Sequence, residues 1–194
     1  MLPSFRHLLM ILLLATLSVR AGAAEIAGYT FDDRIQLAGN ELRLNGVGLR
    51  AVAWIKGYAA GLYLSQQARD TAQVLSAPGP KRVQLRMMLD VGADVFVKAL
   101  HGGMEDNSSE AERQRLAPRV EAFDRIMRSI GDVRKGDLIN LDYLPDRGFV
   151  LSLNGHVRGE PIPGDDLYAA VLKIFVGDHP VDKRLKAGLL GGDI

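Results

Sequence analysis

A long apolar run with an arginine inside it sets the framework for any fold of this chain. Leu44 to Leu64 reads LNGVGLRAVAWIKGYAAGLYL, and its only charged residues are Arg50 and Lys56. The run is longer than an ordinary strand and is rich in residues that favour strands. Its first residues include Asn45-Gly46, a pair that is typical of two-residue hairpin turns. We therefore predict a sheet that is built around this run and begins with a turn at Asn45-Gly46.

Arg50 is the most informative residue of the run. On the two-residue repeat of a strand its side chain shares a face with those of Val52 and Trp54. Burial of a guanidinium costs several kcal/mol unless a partner compensates it. Three partners are possible: a core carboxylate, loop carbonyls or an anionic ligand. The aromatic residues nearby, among them Trp54 and Tyr58, are compatible with either a ligand site or an ordinary core.

The first 23 residues have the pattern of a signal peptide. Basic residues precede the apolar stretch from Leu8 to Leu17, and Ala21-Gly22-Ala23 has the small residues that a signal peptidase recognises. The apolar stretch is shorter than the roughly 20 residues of a membrane span. We expect an exported, periplasmic protein with no membrane span after cleavage and one domain over residues 24–194.

Composition narrows the function of the remaining chain. The leader contains two of the 24 Lys and Arg residues and none of the 23 Asp and Glu residues, which leaves a formal net charge of −1. This near-neutral balance argues against a nucleic-acid partner. The chain has no cysteine, which excludes disulfides and thiolate chemistry.

The order of predicted elements indicates an α+β fold. Alternation of apolar and polar residues predicts strands within 35–44, 82–89, 139–143 and 149–153, with hairpin turns at Gly39-Asn40 and Asn154-Gly155. Helical spacing predicts helices from about residue 93, from the capping box at Ser109, from Asp165 to Gly177, and near 182–190. We expect Pro118 to kink the second helix or to start another. The result is an antiparallel sheet with helices on one face.

The usual catalytic and cofactor patterns are missing from the sequence. His101, His156 and His179 have no cysteine or spaced histidine partner, so we predict no metal site. Gly46-Val47-Gly48 lacks the rest of a dinucleotide-binding loop, and no GxSxG motif occurs. We therefore predict no cofactor.

Several segments together resemble the chalcone isomerase-like superfamily. They are GVGLR ending at Arg50, GLYL at 61–64, IPG at 162–164 and AVLKIFVGDHPVDKRLKAGLL at 170–190. The resemblance extends from about Gly39 to Leu190 and is strongest to the bacterial branch that carries a signal peptide. It implies an open-faced β-sandwich, in which a curved antiparallel sheet and a helical layer enclose a ligand cleft.

The resemblance also implies a role for Arg50. In the plant enzymes the corresponding arginine holds an oxyanion and polarises an enone, assisted by two threonines, a tyrosine and an asparagine. In this chain the two threonine positions fall on Tyr58 and Ile174, and the other two fall near Gly92 and Ala99. The arginine is matched, whereas most of its polar partners are not. Loss of such contacts weakens both orientation and selectivity.

These considerations leave three functional hypotheses. The first is a non-catalytic binder of a small amphipathic anion such as a fatty acid, because non-catalytic relatives bind fatty acids. In it Arg50 contacts the anion, and the other ligand-binding residues are Tyr58, Trp54, Val52, Met87, Ala99 and Ile174. The alternative is an isomerase or intramolecular lyase for a chalcone-like or other enone substrate, with Arg50 as the electrophilic catalyst. In the third, Arg50 is paired inside the protein and no ligand binds.

Overall fold

A computed structural model describes residues 23–192, so the predicted leader lies outside the described residues except for Ala23. The strands are β1 Ala23–Ile26, β2 Tyr29–Asp32, β3 Arg34–Leu37, β4 Asn40–Val52, β5 Ile55–Leu64, β6 Lys81–Met87, β7 Leu138–Leu144, β8 Gly148–Leu153 and β9 His156–Ile162. The helices are α1 Thr71–Ser76, α2 Ala93–Asn107, α3 Glu110–Ile130, α4 Asp166–Val176 and α5 Lys183–Leu189.

Seven strands, β3 to β9, form one curled antiparallel sheet in chain order, and β1 and β2 form a separate hairpin. Helices inserted between β6 and β7 and after β9 pack on one face of this sheet. Most of the buried apolar residues lie between that face and the helices. The fold class predicted from the sequence is confirmed.

The apolar run folds as two strands, β4 and β5, joined by Ala53 and Trp54. Ala53 has a φ of 52°, a conformation that carries no obvious sequence signal when alanine adopts it. The predicted turn at Asn45-Gly46 is wrong. Asn45 is buried inside β4, where its side chain donates to the Ala68 and Leu189 carbonyls at 2.9 and 2.7 Å. The register shifts there between Leu44 and Gly46, which indicates a bulge in place of a turn.

Glycines in β4 allow α5 to lie directly on the strand. A methyl group on Gly48 would lie 2.6 Å from the Leu185 carbonyl oxygen, and one on Gly46 would overlap the Gly188 carbonyl. Gly188 in turn faces the Val47 carbonyl so closely that it has no room for a side chain. Backbone therefore packs against backbone, and α5 is fixed to β4.

The opposite face of the sheet is covered in part by the β1–β2 hairpin. A second apolar cluster forms there around Phe31, Leu42 and Tyr63. The Tyr29 hydroxyl donates to the Met87 carbonyl at 3.0 Å and ties the hairpin to β6. Neither this hairpin nor the short helix α1 is predicted from the sequence.

The predicted helices have the expected ends. The Ser109 side chain accepts a hydrogen bond from the Glu112 backbone N–H, and the Glu112 carboxylate accepts one from the Ser109 backbone N–H. The predicted capping box is therefore present at the start of α3. Gly177 ends α4 as expected. Pro118 lies within α3, which continues to Ile130 without a second helix starting. None of the helices described between residues 23 and 192 has the length and apolar character needed to cross a membrane.

Candidate functional site

The sheet and the helical layer enclose an apolar cavity of about 100 Å³. Fourteen residues line it, and Tyr58 alone among them carries a hydroxyl or a charged group. They are Tyr58, Leu85, Phe96, Ala99, Leu100, Phe123, Met127, Ile139, Leu141, Leu151, Val171, Ile174, Phe175 and Val181. Such a wall can exclude water from a hydrocarbon and offers few contacts that would orient a polar substrate.

Two periodicities in the sequence create this wall. Leu85, Ile139 and Leu151 point to the helical face because alternate residues of a strand share a face. On α4, Val171, Ile174 and Phe175 recur at helical spacing and point back towards the sheet. The cavity lies where these two faces do not meet completely.

The cavity wall reaches the protein surface at the start of α2. Ala99 is exposed, and Phe96, Tyr58 and Val181 are half-buried, whereas most of the remaining wall is buried. We define these four residues as the cavity mouth.

Arg50 lies beside the cavity mouth. It is directly opposite Tyr58 in the β4–β5 ladder, on the face that carries Gly48 and α5. Its Nη1 atom donates to the Ala51 carbonyl at 3.1 Å and lies 3.5 Å from Oδ2 of Asp182. The side chain is 26% exposed. Both contacts use Nη1, and neither Nε nor Nη2 donates a hydrogen bond within residues 23–192.

Asp182 is a site residue that the sequence does not identify. Its Oδ1 atom accepts from the backbone of Arg184 and Leu185 and so caps α5. Its other oxygen faces Arg50 across 132 residues of sequence. A capping aspartate is visible in the sequence before α5, but its proximity to Arg50 depends on how α5 packs on β4.

Tyr58 is uncharged at neutral pH. Burial raises the pKa of Tyr58 far above that of a free phenol; the Arg50 charge opposes this shift, and the Asp182 charge adds to it. A neutral phenol can donate a hydrogen bond to a carboxylate. Tyr58 and Arg50 therefore form a pair of donors on adjacent strands at one end of an apolar cavity.

The structure brings together only part of the predicted ligand-binding set. Tyr58, Ala99 and Ile174 line the cavity. Met87 is buried in the neighbouring core without contributing to the wall. The prediction that Val52 and Trp54 line the cleft is wrong, because they are 59% and 88% exposed on the β4–β5 turn.

The reason for this correction is where β4 ends. Val52 is the last residue of β4 and Trp54 lies in the turn, so both are beyond Gly46 and Gly48, the positions of β4 that contact α5. The register shift between Arg50 and Ala51 leaves Gly57 of β5 unpaired, so this bulge changes the facing of residues in β5 and not of those in β4.

Helix α2 forms the outer wall of the cavity and contacts both α3 and α4. The ring of His101 lies 2.8 Å from the Asp124 carboxylate on α3. Gly103 allows α2 to approach Ile174 of α4, because a methyl group at residue 103 would lie 2.7 Å from that side chain. Within residues 23–192 no cluster of three or more His, Asp or Glu side chains could hold a metal ion.

Comparison with known proteins agrees with this architecture. A family model described as chalcone isomerase-like matches residues 23–191. A sequence search of curated proteins finds no match. The crystal structure of the Arabidopsis thaliana fatty-acid binding protein AtFAP1 is similar, with a TM-score of 0.68 and 15% sequence identity over 87% of this chain and 96% of that chain. At this identity the likeness shows a shared fold.

Proposed function

This chain belongs to the chalcone isomerase-like family, and on that premise we propose that it binds a small amphipathic anion such as a fatty acid without catalysing a reaction. The observation that carries the proposal is the cavity wall, which is apolar except for Tyr58 and ends beside Arg50. An acyl chain matches the apolar wall, and a carboxylate matches the two donors. The fatty-acid binding protein AtFAP1, which has the same fold, supports this ligand class.

The size of the cavity adds a condition to the proposal. A cavity of 150 Å³ is known to hold benzene, so the volume of about 100 Å³ seen here is too small for a complete acyl chain. We infer that the wall widens when the ligand binds. Met127 and Phe96 are suited to this change, because methionine adapts its shape easily and Phe96 lies at the half-buried mouth.

The cavity supports binding better than isomerisation. The positions that the plant enzymes use for hydroxyl and amide groups carry Ile174 and Ala99 here, and both contribute only hydrocarbon to the wall. Tyr58 could orient one oxygen of a substrate, but a second polar contact across the cavity would be needed to align an intramolecular attack. The test for the enzyme is to mix the protein with a chalcone and follow the chalcone absorption band. A loss of the band that is faster than in buffer and that disappears in an Arg50 variant would favour the enzyme instead.

We further propose that the protein is exported and acts in the periplasm, as the pattern of residues 1–23 predicts. Mass spectrometry of the protein from fractionated cells tests this directly. An N-terminus near Ala24 in the periplasmic fraction is the expected result. An intact N-terminus in the cytosolic fraction would contradict it.

Native mass spectrometry of the freshly isolated protein tests the proposed ligand. We expect the wild type to carry a fatty acid, which is released on denaturation, and Arg50→Gln to carry much less. Arg119→Gln is the matched control, since Arg119 also pairs with an aspartate, Asp166, but is not in the cavity wall. A wild type that carries no lipid and binds none of the added saturated fatty acids from C8 to C18 would refute the proposal.

A further inference from the structure

The turn between β4 and β5 exposes an unusual amount of apolar surface. Val52, Trp54 and Ile55 are 59%, 88% and 55% exposed, and they account for three of the five large hydrophobic residues exposed in the described chain. We define residues 52–56, which also include Ala53 and Lys56, as the hairpin tip. Scattered exposed apolar residues are normal, whereas a contiguous group of them marks a contact site.

Trp54 gives the hairpin tip its chemical character. It is the only tryptophan of the chain, and it is almost fully exposed at the end of a hairpin. Tryptophan is enriched at membrane–water interfaces, where its ring lies in the headgroup region and its N–H stays hydrated. Ile55 and Val52 beside it can enter the acyl boundary.

The charge of the hairpin points to an anionic partner. Lys56 is the one charged residue of the hairpin tip, and the nearby Arg50 is paired with Asp182. Lys56 is exposed and directly follows Ile55. A basic residue next to exposed apolar ones complements a surface that is anionic outside and apolar beneath.

The small area of the hairpin tip favours a bilayer over a protein partner. A stable protein interface buries about 800 Å² on each side and involves 20–30 residues. Three apolar side chains on one turn provide far less than this, but insertion into a bilayer needs only a few side chains. We propose that the hairpin tip docks this protein on the surface of an anionic phospholipid bilayer.

Docking through the tip would orient the ligand site towards the membrane. Arg50 and Tyr58 are each two residues from the tip on their strands, a distance of roughly 7 Å at the rise of a strand. The cavity mouth would then face the lipid from which an amphipathic ligand could be drawn. The docking surface does not include the cavity, so it can exist whether or not the proposed function is correct.

The single tryptophan allows a direct test. The protein is expressed from its full sequence and isolated as the cell produces it, with its N-terminus read by mass spectrometry. Vesicles of phosphatidylcholine with 30% phosphatidylglycerol are added while Trp54 emission is recorded. We expect a blue shift, protection from acrylamide and quenching by brominated acyl chains, with much weaker effects on pure phosphatidylcholine. Because the reporter is in the hairpin tip, binding through any other segment leaves its emission unchanged.

Variants connect the signal to individual residues. Ile55→Ser and Lys56→Gln should each weaken vesicle binding by roughly fivefold, the first by removing apolar surface and the second by removing a charge. Val157→Ser is the matched control, because Val157 is 54% exposed on β9 and lies outside the hairpin tip; it should bind like the wild type. Arg50→Gln separates the proposals, since it should remove fatty acid while Trp54 still inserts.

Two outcomes would overturn the docking proposal. One is Trp54 emission that does not change at millimolar anionic lipid, whether or not the protein sediments with the vesicles. The other is equal binding by the wild type and Ile55→Ser. If the hairpin tip instead binds a protein, Trp54 emission stays unchanged with vesicles, and that result also counts against the bilayer.

Discussion

Replacement of Asp182 by asparagine should strengthen the binding of an anionic ligand. Asp182 faces Arg50 at 3.5 Å and so competes with a ligand carboxylate for the same guanidinium. Asparagine is as good an N-cap as aspartate, so it should keep the start of α5 intact while removing the competing charge. The change is close to isosteric, which confines its effect to electrostatics.

The expected size of this effect follows from the geometry. The Arg50 and Asp182 side chains are 26% and 15% exposed, and their contact is longer than a good hydrogen bond. Pairs of this kind contribute about 0.2–1 kcal/mol. Release of Arg50 should therefore raise the affinity by about 1.4- to fivefold. Arg50→Gln should lower it by roughly 10- to 100-fold, because hydrogen bonds to charged groups contribute about 1.5–3 kcal/mol.

Isothermal titration calorimetry with dodecanoate, below its micelle concentration, measures both effects. Dodecanol serves as the uncharged ligand control and should bind both variants like the wild type. Asp166→Asn serves as the protein control, because it removes the partner of Arg119 in another, more exposed arginine–aspartate pair. Thermal unfolding of each variant checks that the fold is retained.

Either of two results would refute the reasoning. If Asp182→Asn binds dodecanoate more weakly than the wild type, Asp182 does not compete with the ligand. If Arg50→Gln binds dodecanoate as the wild type does, the carboxylate is not held at Arg50. An equal response of dodecanol and dodecanoate would show that the variants act through the shape of the cavity.

Three further predictions concern other parts of the molecule. Gly48→Ala should destabilise the fold by about 1–3 kcal/mol, because the backbone of α5 blocks the new methyl group. Gly102→Ala, in open space on α2, should stabilise the fold by about 0.5–1 kcal/mol. Chemical denaturation measures the free energy of unfolding of both variants. Ala99→Trp should block the cavity mouth and reduce the affinity for the ligand by at least tenfold without loss of stability. Glu105→Trp, which is elsewhere on α2, should leave the affinity unchanged. Equal binding by the two variants would contradict the assigned mouth. Hydrogen bonds with Ser109 lower the pKa of the Glu112 carboxyl in the folded protein. The stabilisation by ionised Glu112 is therefore complete above the pKa of the unfolded state and is lost as pH falls through the pKa of the folded state. The difference in melting temperature between wild type and Glu112→Gln should shrink between about pH 5 and 3.

Much of the fold was predictable because its signals are local. Asn154-Gly155 marks a hairpin whose two residues both have positive φ, and Ser109 with Glu112 marks a helix start. The turn at Ala53 and Trp54 was not predictable in this way, since neither residue favours a turn. The local pattern instead predicted a turn at Asn45-Gly46. In the structure the Asn45 side chain donates hydrogen bonds to the backbone carbonyls of Ala68 and Leu189, which are distant in sequence.

The site was predictable in part, from two kinds of signal. Arg50 was identified because a charge in an apolar strand needs a partner, whereas Tyr58, Ala99 and Ile174 were identified from the resemblance to the chalcone isomerase-like superfamily. The identity of that partner was not predictable, because Asp182 comes from the far end of the chain and reaches Arg50 through the packing of α5. Val52 and Trp54 were misplaced because no distinct sequence signal shows that β4 ends at Val52 and that the chain turns at Ala53 and Trp54.

The close contact of α5 with β4 has a consequence for ligand selectivity. With Gly46 and Gly188 in backbone contact, the segment carrying Asp182 cannot move away from the strand carrying Arg50. Any expansion must come from the opposite side, where α2 is attached through His101 and Gly103. We therefore expect the polar end to keep a fixed geometry while the hydrocarbon end changes its length. Such a protein would discriminate sharply between head groups and tolerate a range of tails.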